Sequence, residues 1–253
     1  MREARLELFV AGAGPAYTDR PGATGAAYLV RHRSTAVLLD LGQGSFPRVA
    51  GELDPRELDA VVISHLHPDH FVDLVALRHY LRYAVDPPRR VQVLAPAGLA
   101  GRLDALHDEP GFTAAALDCV GLAEGPLTVG DLELEARLVT HTVESYAFRV
   151  AAPGGERGLV YSGDCGRAAD LAPLIHPGDV LLCEVSFGPG PVPAGVNHLD
   201  GPAVGELAAT SGAGRVLLTH LQMGYSDEAT IEAVRLRFDG PIDLVEPGSR
   251  IRI

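Results

Sequence analysis

Six apolar runs in this chain end on a residue that a buried strand has no reason of its own to carry. Asp40 follows TAVLL, His65 follows AVVIS, His141 follows ARLVT, Asp164 follows LVYSG, Glu184 follows DVLLC and His220 follows RVLLT. The runs are nearly continuous in Val, Leu and Ile, without the polar alternation of a strand that has one wet face, so both faces are expected to be covered. Helical patterns lie between them: HFVDLVALRHYLRYAV, GLAGRLDALHD, GPAVGELAATSG and DEATIEAVRLRF. Strands interleaved with helices predict an α/β fold in which sheets are layered beneath helices. Clusters of Gly and Pro (PGATG, APGGERG, FGPGPVPAG) mark turns and a surface loop near 188–196. No long linker, low-complexity tract or short repeat interrupts the chain, so a single domain over residues 1–253 is expected. Sites in open α/β sheets form beyond the carboxyl ends of strands. Polar ends on six strands therefore predict one assembled site.

The densest of these ends reads HLHPDH, residues 65–70. His65 and His67 are two apart, so an extended segment projects both imidazoles to one side. Pro68 stiffens the turn that follows, and Asp69 and His70 can point back from the start of the next helix. Imidazole nitrogen with carboxylate oxygen is a donor set for zinc, and also suits iron or manganese. Four donors in six residues are too many to converge on one tetrahedral ion. Two divalent ions close together use them naturally, with His141, His220 and Asp164 completing the set. A single histidine in a strand-end loop is ordinarily a hydrogen-bonded structural residue, and His32, His79, His107 and His176 are read that way. The cluster is different, because burying so many ionisable groups without a metal costs several kcal/mol.

Composition narrows the partners. Asp and Glu outnumber Lys and Arg by 33 to 21, a formal net charge of −12, and no run of five basic residues occurs. The extended basic footprint of a nucleic-acid binder is absent, and large RNA is not an expected partner. The three cysteines, Cys119, Cys165 and Cys183, are odd in number and lack CxxC spacing, which favours a reducing compartment. No apolar stretch is long enough to cross a bilayer, and Glu3 and Glu7 argue against a leader peptide in MREARLELFVAGAG. The cytoplasm is the expected location, with no membrane partner. GAGPAYTDRPGATG lacks the spacing of a dinucleotide cradle and is read as a loop on the rim of the site. Tyr146 and Phe187 are read as packing residues, and Arg20, Arg31 and Arg33 as solvated.

HLHPDH is the HxHxDH signature of the metallo-β-lactamase superfamily, and VTHTVESYAFRV, YSGDC and LLTHL resemble its remaining metal motifs in order and spacing. The likeness runs from LLDLGQG to LLTHL, nearly the whole chain. It implies a four-layer αββα sandwich with the metals at one edge of the sheets. Carried onto this sequence, it implies one ion held by His65, His67 and His141 and a second held by Asp69, His70 and His220. Asp164 would bridge them, and Asp40 would orient the ligand histidines. Zinc β-lactamases of the main group carry a cysteine where Asp164 stands, so lactamase activity is not expected. Thiolester hydrolases share the metal set.

The second half is similar to the ribonuclease Z-like branch of phosphodiesterases, on HTVESYAFRV, CEVSF and NHLDGPAVGELA. That resemblance implies that Glu184 and His198 form a pair beside the metals and donate a proton to the leaving group. It also implies that Asp69 accepts the proton of the attacking water. Three features depart from the ribonuclease. Cys183 stands where a histidine commonly precedes the glutamate, no long arm separates His141 from Asp164, and no PxKxRN-like loop follows the first motif. What remains resembles the compact proteins described as atypical class II cyclic nucleotide phosphodiesterases, on HTVES, YSGD, CEVS and HLDG. The expected activity is metal-dependent hydrolysis of a small anionic phosphodiester of the cyclic-nucleotide type. A tRNA 3′-end endonuclease and a lactone or thiolester hydrolase are the alternatives. The sequence leaves oligomeric state open, a homodimer included.

Overall fold

A computed structural model describes residues 5–253; Glu3, cited against a leader, lies outside the described residues. The first half supplies strands β1 (Glu7–Gly12), β2 (Ala27–His32), β3 (Thr35–Leu39), β4 (Ala60–Val62), β5 (Val91–Ala95) and β6 (Leu117–Gly121). The second half supplies β7 (Gly125–Val129), β8 (Leu132–Val139), β9 (Ser145–Ala151), β10 (Gly158–Tyr161), β11 (Val180–Glu184), β12 (Arg215–Thr219), β13 (Ile242–Leu244) and β14 (Arg250–Arg252). Two seven-stranded sheets result, ordered β14-β1-β2-β3-β4-β5-β6 and β13-β12-β11-β10-β9-β8-β7. The helices are α1 (Phe46–Glu52), α2 (Pro68–Phe71), α3 (Leu74–His79), α4 (Leu99–His107), α5 (Gly201–Ser211) and α6 (Asp227–Arg235).

The pleat explains why the strands are apolar on both faces. Leu8, Val10, Tyr28, Val30 and Leu39 point between the sheets, where they meet Leu134, Phe148, Leu159, Leu182 and Leu217. The interleaved Phe9, Leu29, Leu38 and Val61 point outward and pack with Leu74, Leu77 and Leu103 of α3 and α4. On the other side Val160, Leu181, Val216 and Leu218 pack with Val204, Leu207 and Val234 of α5 and α6. The layers therefore run helix, sheet, sheet, helix, as expected.

Registers set the site. β3 and β4 run parallel with Leu39 beside Val62, and β10, β11 and β12 run parallel with Tyr161 beside Leu182 and Glu184 beside Thr219. The strand ends carrying Asp40, His65, Asp164, Glu184 and His220 thus reach the same edge of the sandwich. The sheets are tied there by Tyr146 N–H donating to Ser64 O at 3.0 Å and by a bridge between His65 and Ser145.

Several local expectations are corrected. HFVDLVALRHYLRYAV does not form one helix: α2 stops at Phe71, α3 begins at Leu74, and Tyr80–Ala84 widens into a π-helical turn. The break has a cause, because the Asp73 N–H is diverted to Leu41 O (3.1 Å) while its carboxylate accepts the Phe46 N–H (2.9 Å). α1, β6, β7 and β14 have no counterpart in the expected elements; β6 and β14 are edge strands with exposed positions that blur their pattern. No helix among the described residues is long and apolar enough to cross a membrane.

Candidate metal centre

Backbone conformation aims the donors before any contact is made. Asp40 and His220, each one residue beyond a strand, both take φ of 59°, a left-handed conformation that costs a non-glycine residue about 1–3 kcal/mol and collects at functional sites. In HLHPDH, His67 is extended (φ −88°, ψ 142°) and Pro68 opens α2, where its missing N–H is no loss. Asp69 and His70 then lie in the first turn, turned back toward the strand end. The loop before β2 closes against this turn: Ala26 N–H donates to Asp69 O at 3.0 Å. Gly42 packs so closely there that a Cβ on it would stand 1.8 Å from Asp69 O.

The predicted donors fall into two sets. In one, His65 Nε2 is 3.0 Å from His67 Nδ1, His141 Nε2 is 3.3 Å from the same atom, and Asp164 Oδ2 lies 3.7 and 3.8 Å from His65 and His141. In the other, His70 Nε2 and His220 Nε2 are 3.4 Å apart. Asp69 Oδ2 stands 3.7 and 3.3 Å from them, and Asp164 Oδ1 3.4 and 3.5 Å. Atoms about 2.0–2.1 Å from a tetrahedral ion stand about 3.3 Å apart, so both sets have the spacing of a divalent coordination shell. Asp164 turns one oxygen to each set, and its buried Oδ1 has no hydrogen-bond donor among the described residues. An acceptor buried without a donor is expensive; a cation held by the second set would resolve it. The residues fit divalent metal.

The partners of the other ring nitrogens fix the tautomers. His141 Nδ1 is 2.9 Å from Asn197 O, and a carbonyl only accepts, so Nδ1 carries the proton and Nε2 keeps its lone pair. His70 Nδ1 donates to Asp40 Oδ2 at 2.7 Å. Ser64 Oγ donates to the same carboxylate (2.7 Å) and stands 3.1 Å from His65 Nδ1, from which it accepts. Ser186 Oγ donates to Glu184 Oε2 (2.5 Å) and accepts from His220 Nδ1 (3.0 Å). Four of the five imidazoles in these sets are thereby held with Nε2 free toward the donor set. Asp40, fully buried, also accepts the Ser64 N–H (2.7 Å) and the Tyr161 hydroxyl (2.6 Å).

Electrostatics follow from this packing. Burial opposes charge on His70, but the Asp164 and Asp40 carboxylates outweigh it and raise its pKa well above the ordinary value. Burial likewise works to protonate Asp164, and His220, His70 and His65 outweigh it, so the carboxyl is held well below its usual range. Burial also favours protonation of Asp69, and His220 and His70 keep it low. His65, with burial as the main cause, is pushed well down and stays neutral. The centre is a buried pocket in which the ionised carboxylates of Asp164 and Asp69 face a neutral His65 and the more basic His70 and His220, so that a cation entering it would displace protons from those imidazoles.

Glu184 and His198 stand beside the second set. Glu184 is buried and accepts the Cys165 N–H (2.8 Å), the Ser186 hydroxyl and His198 Nδ1 at 2.9 Å. That leaves His198 Nε2 for the pocket, and the side chain is 19% exposed. Burial lowers the His198 pKa, and the Glu184 hydrogen bond and charge more than restore it, for a net rise. The pocket measures about 350 Å3 and is lined by His67, Asp69, Asp164, His198 and His220 together with Pro15, Ala16, Tyr17 and Gln222. The N-terminal glycine-rich loop is on its rim, as expected. A second cavity of about 390 Å3, lined by Arg20, Arg48, Asp227 and Glu246, contains none of the donors.

A β-lactamase superfamily domain matches residues 37–221. An uncharacterized protein of Mycobacterium tuberculosis is 34% identical over 234 residues, 89% of this chain and 84% of that one. The chain belongs to the metallo-β-lactamase superfamily. A probable metallo-hydrolase of the superfamily, Bacillus subtilis YhfI, is 26% identical over 88% of this chain and 90% of its own length. The crystal structure of YhfI superposes with a TM-score of 0.87, covering 99% of this chain and 100% of that one at 21% identity. A diphosphatase of the PhnP family (TM-score 0.76, 18% identity, 98% of each chain) and the short form of human tRNase Z (0.72, 19%, 97% and 98%) share the fold. Superfamily membership and the donor sets together make the chain a metallo-hydrolase.

The other sequence expectations divide. Tyr146 is buried and packs in the core. Phe187 is half-buried with its ring centroid 6.2 Å from that of His198. His32 is buried against Asp131 (2.8 Å) and His79 bonds Val75 O (2.7 Å), both structural as read. Arg20 and Arg31 are not simply solvated: Arg20 pairs with Asp227 at 2.5 Å and Arg31 with Glu52 at 2.6 Å. Ser64, Ser186, Asn197 and Tyr161 were not singled out. Their roles depend on atoms brought close by the fold, and only SH in ISHLH and CEVS hinted at two of them.

Proposed function

We propose that the protein is a phosphodiesterase, dependent on two divalent ions, that acts on small phosphodiesters of the cyclic-nucleotide type. The observation that carries this reading is the Glu184–His198 pair, a buried carboxylate holding a partly exposed imidazole beside the donor sets. Hydrolysis of a phosphodiester expels an alkoxide, which needs a proton; a thiolester hydrolase expels a stable thiolate and has no clear use for an acid there. His198, with Nδ1 fixed on Glu184 and its pKa raised, delivers that proton from Nε2. Asp69, kept ionised by His220 and His70, accepts the proton of the attacking water. His65, His67 and His141 would hold one ion, His70, His220 and Asp69 the other, with Asp164 between them. Bound there, divalent ions lower the pKa of water and neutralise phosphoryl charge. Nitrogen and oxygen donors without thiolate suit zinc, with manganese or iron as substitutes.

The compact form supports a small substrate. Between His141 and Asp164 the chain makes only the β9–β10 hairpin, and the net charge of −12 offers no footprint for a large RNA. A 350 Å3 pocket suits a single nucleotide-sized ligand. The deciding comparison is bis(p-nitrophenyl) phosphate against a thiolester with the zinc-loaded protein. The proposal expects turnover of the phosphodiester; turnover of the thiolester alone assigns the site to carbonyl chemistry.

A further inference from the structure

Tyr17 is 64% exposed, yet it sits on the wall of the pocket that contains His67, Asp69, His198 and His220. Scattered exposed aromatics are ordinary on a protein surface; this one lines the pocket that holds the donors. Its loop is pinned where it leaves the sheet. Gly14 N–H donates to Thr24 O (2.8 Å), and the Gln43 side-chain amide donates to Pro15 O (3.2 Å). The ring is therefore carried on an anchored base while its faces remain open. Across the same pocket Gln222 is tied by its backbone N–H to Ser186 O (3.3 Å), and its side-chain amide has no partner among the described residues. A free planar amide offers one acceptor and two donors.

We infer that Tyr17 and Gln222 form a nucleobase subsite: the phenol ring stacks on the base and the Gln222 amide hydrogen-bonds its edge while the phosphodiester lies over the donor sets. This rests on the phosphodiesterase reading and assigns the residues that receive the base of such a substrate. Among the described residues that line the pocket, Tyr17 is the one Phe, Tyr or Trp side chain, and the neighbouring rings of His67 and His198 are assigned to the centre itself. Base–aromatic stacking tolerates any base, because every base has a π-face. Selection among bases falls to the Gln222 amide, which favours one edge pattern over another.

The test compares 3′,5′-cyclic AMP with methyl p-nitrophenyl phosphate, a phosphodiester without a base, on the zinc-loaded wild type, Tyr17→Ala, Tyr17→Trp and Gln222→Leu. Tyr17→Ala should raise KM for the cyclic nucleotide by roughly 5- to 100-fold, with a far smaller change for the base-free ester, and Tyr17→Trp should restore the lower KM. Gln222→Leu should bring the kcat/KM values for cyclic AMP and cyclic GMP toward one another. An unchanged KM in Tyr17→Ala, or an equal rise for both esters, overturns the subsite. Binding of AMP by calorimetry to the same proteins separates this from the broader reading. If the wild type cleaves neither ester but binds AMP more tightly than Tyr17→Ala, the phosphodiesterase assignment falls and the subsite stands. If AMP binds both equally or neither, the subsite is wrong whatever the turnover.

Discussion

At the scale of single residues, Asp40 belongs to neither donor set yet is committed on every side. It accepts from the Ser64 N–H and hydroxyl, His70 Nδ1 and the Tyr161 hydroxyl with full burial. Replacing it by alanine leaves those donors facing nothing, and the expected loss is about 3–5 kcal/mol of stability with a roughly 10- to 100-fold weaker grip on metal. Denaturant titration and chelator competition measure the two effects, and metal affinity unchanged in that variant would remove Asp40 from the centre. His198 permits a sharper test because leaving groups differ in basicity. In His198→Ala, turnover of 3′,5′-cyclic AMP should fall by roughly 100- to 10,000-fold, whereas bis(p-nitrophenyl) phosphate, which expels a stable phenolate, should lose less than about 10-fold. Equal losses on the two substrates would make His198 a structural residue. The donors themselves were legible in the sequence, since HLHPDH concentrates costly groups where a buried strand ends. The residues that fix their tautomers were not: the Asn197 carbonyl has no side-chain signature at all, and Ser64 and Ser186 look like any strand-end serines.

Among the elements, the contact of greatest consequence is backbone on backbone. Gly42 lets the segment after β3 lie against Asp69 O, where a Cβ would stand at 1.8 Å. Gly42→Ala must displace the first turn of α2, with an expected cost of about 1–3 kcal/mol and loss of the ion held by Asp69, His70 and His220. Metal content per chain, measured beside stability, checks this; full metal content would show that the turn can move without consequence. A remote element gives a pH signature. Hydrogen bonds from Thr113, side chain first and then backbone, and from Gly111 N–H hold the Asp104 carboxyl below its usual value, tying α4 to the turn that follows it. A depressed carboxyl pKa contributes stability that is present above the unfolded-state value and fades as pH falls through the folded one. Asp104→Ala should therefore be less stable than wild type near pH 7, and the gap should close in acid; a gap that persists there would assign the loss to packing. Most strands were legible because both of their faces are buried and they read as unbroken apolar runs. The break at residues 72–74 was not, since it depends on Leu41 O capturing an N–H from a helix that the periodicity alone would continue.

For the whole molecule, two sheets with a shared interior and strand ends meeting at one edge make metal binding and folding one problem. Donors from both sheets meet in the same two sets, so chelation of bound metal should loosen the edge where the sheets are tied. At a free metal concentration about 100-fold above Kd each bound ion contributes about 2.7 kcal/mol, a Tm rise of roughly 5–10 °C per ion for a chain of this size. Calorimetry should show that shift as one cooperative transition over the whole chain, and two separate transitions would contradict a single domain. The layered architecture was implied by the motifs more than by composition; charge and cysteine content only narrowed the partners. The measurement that bears most directly on the central claim is turnover of 3′,5′-cyclic AMP, with bound metal counted in the same preparation, for the wild type and Asp164→Ala. Two ions per chain with turnover, both reduced together in the variant, is the predicted result. A wild type that holds both ions and leaves the cyclic phosphodiester intact, or a variant that loses its ions and keeps its rate, would contradict the account.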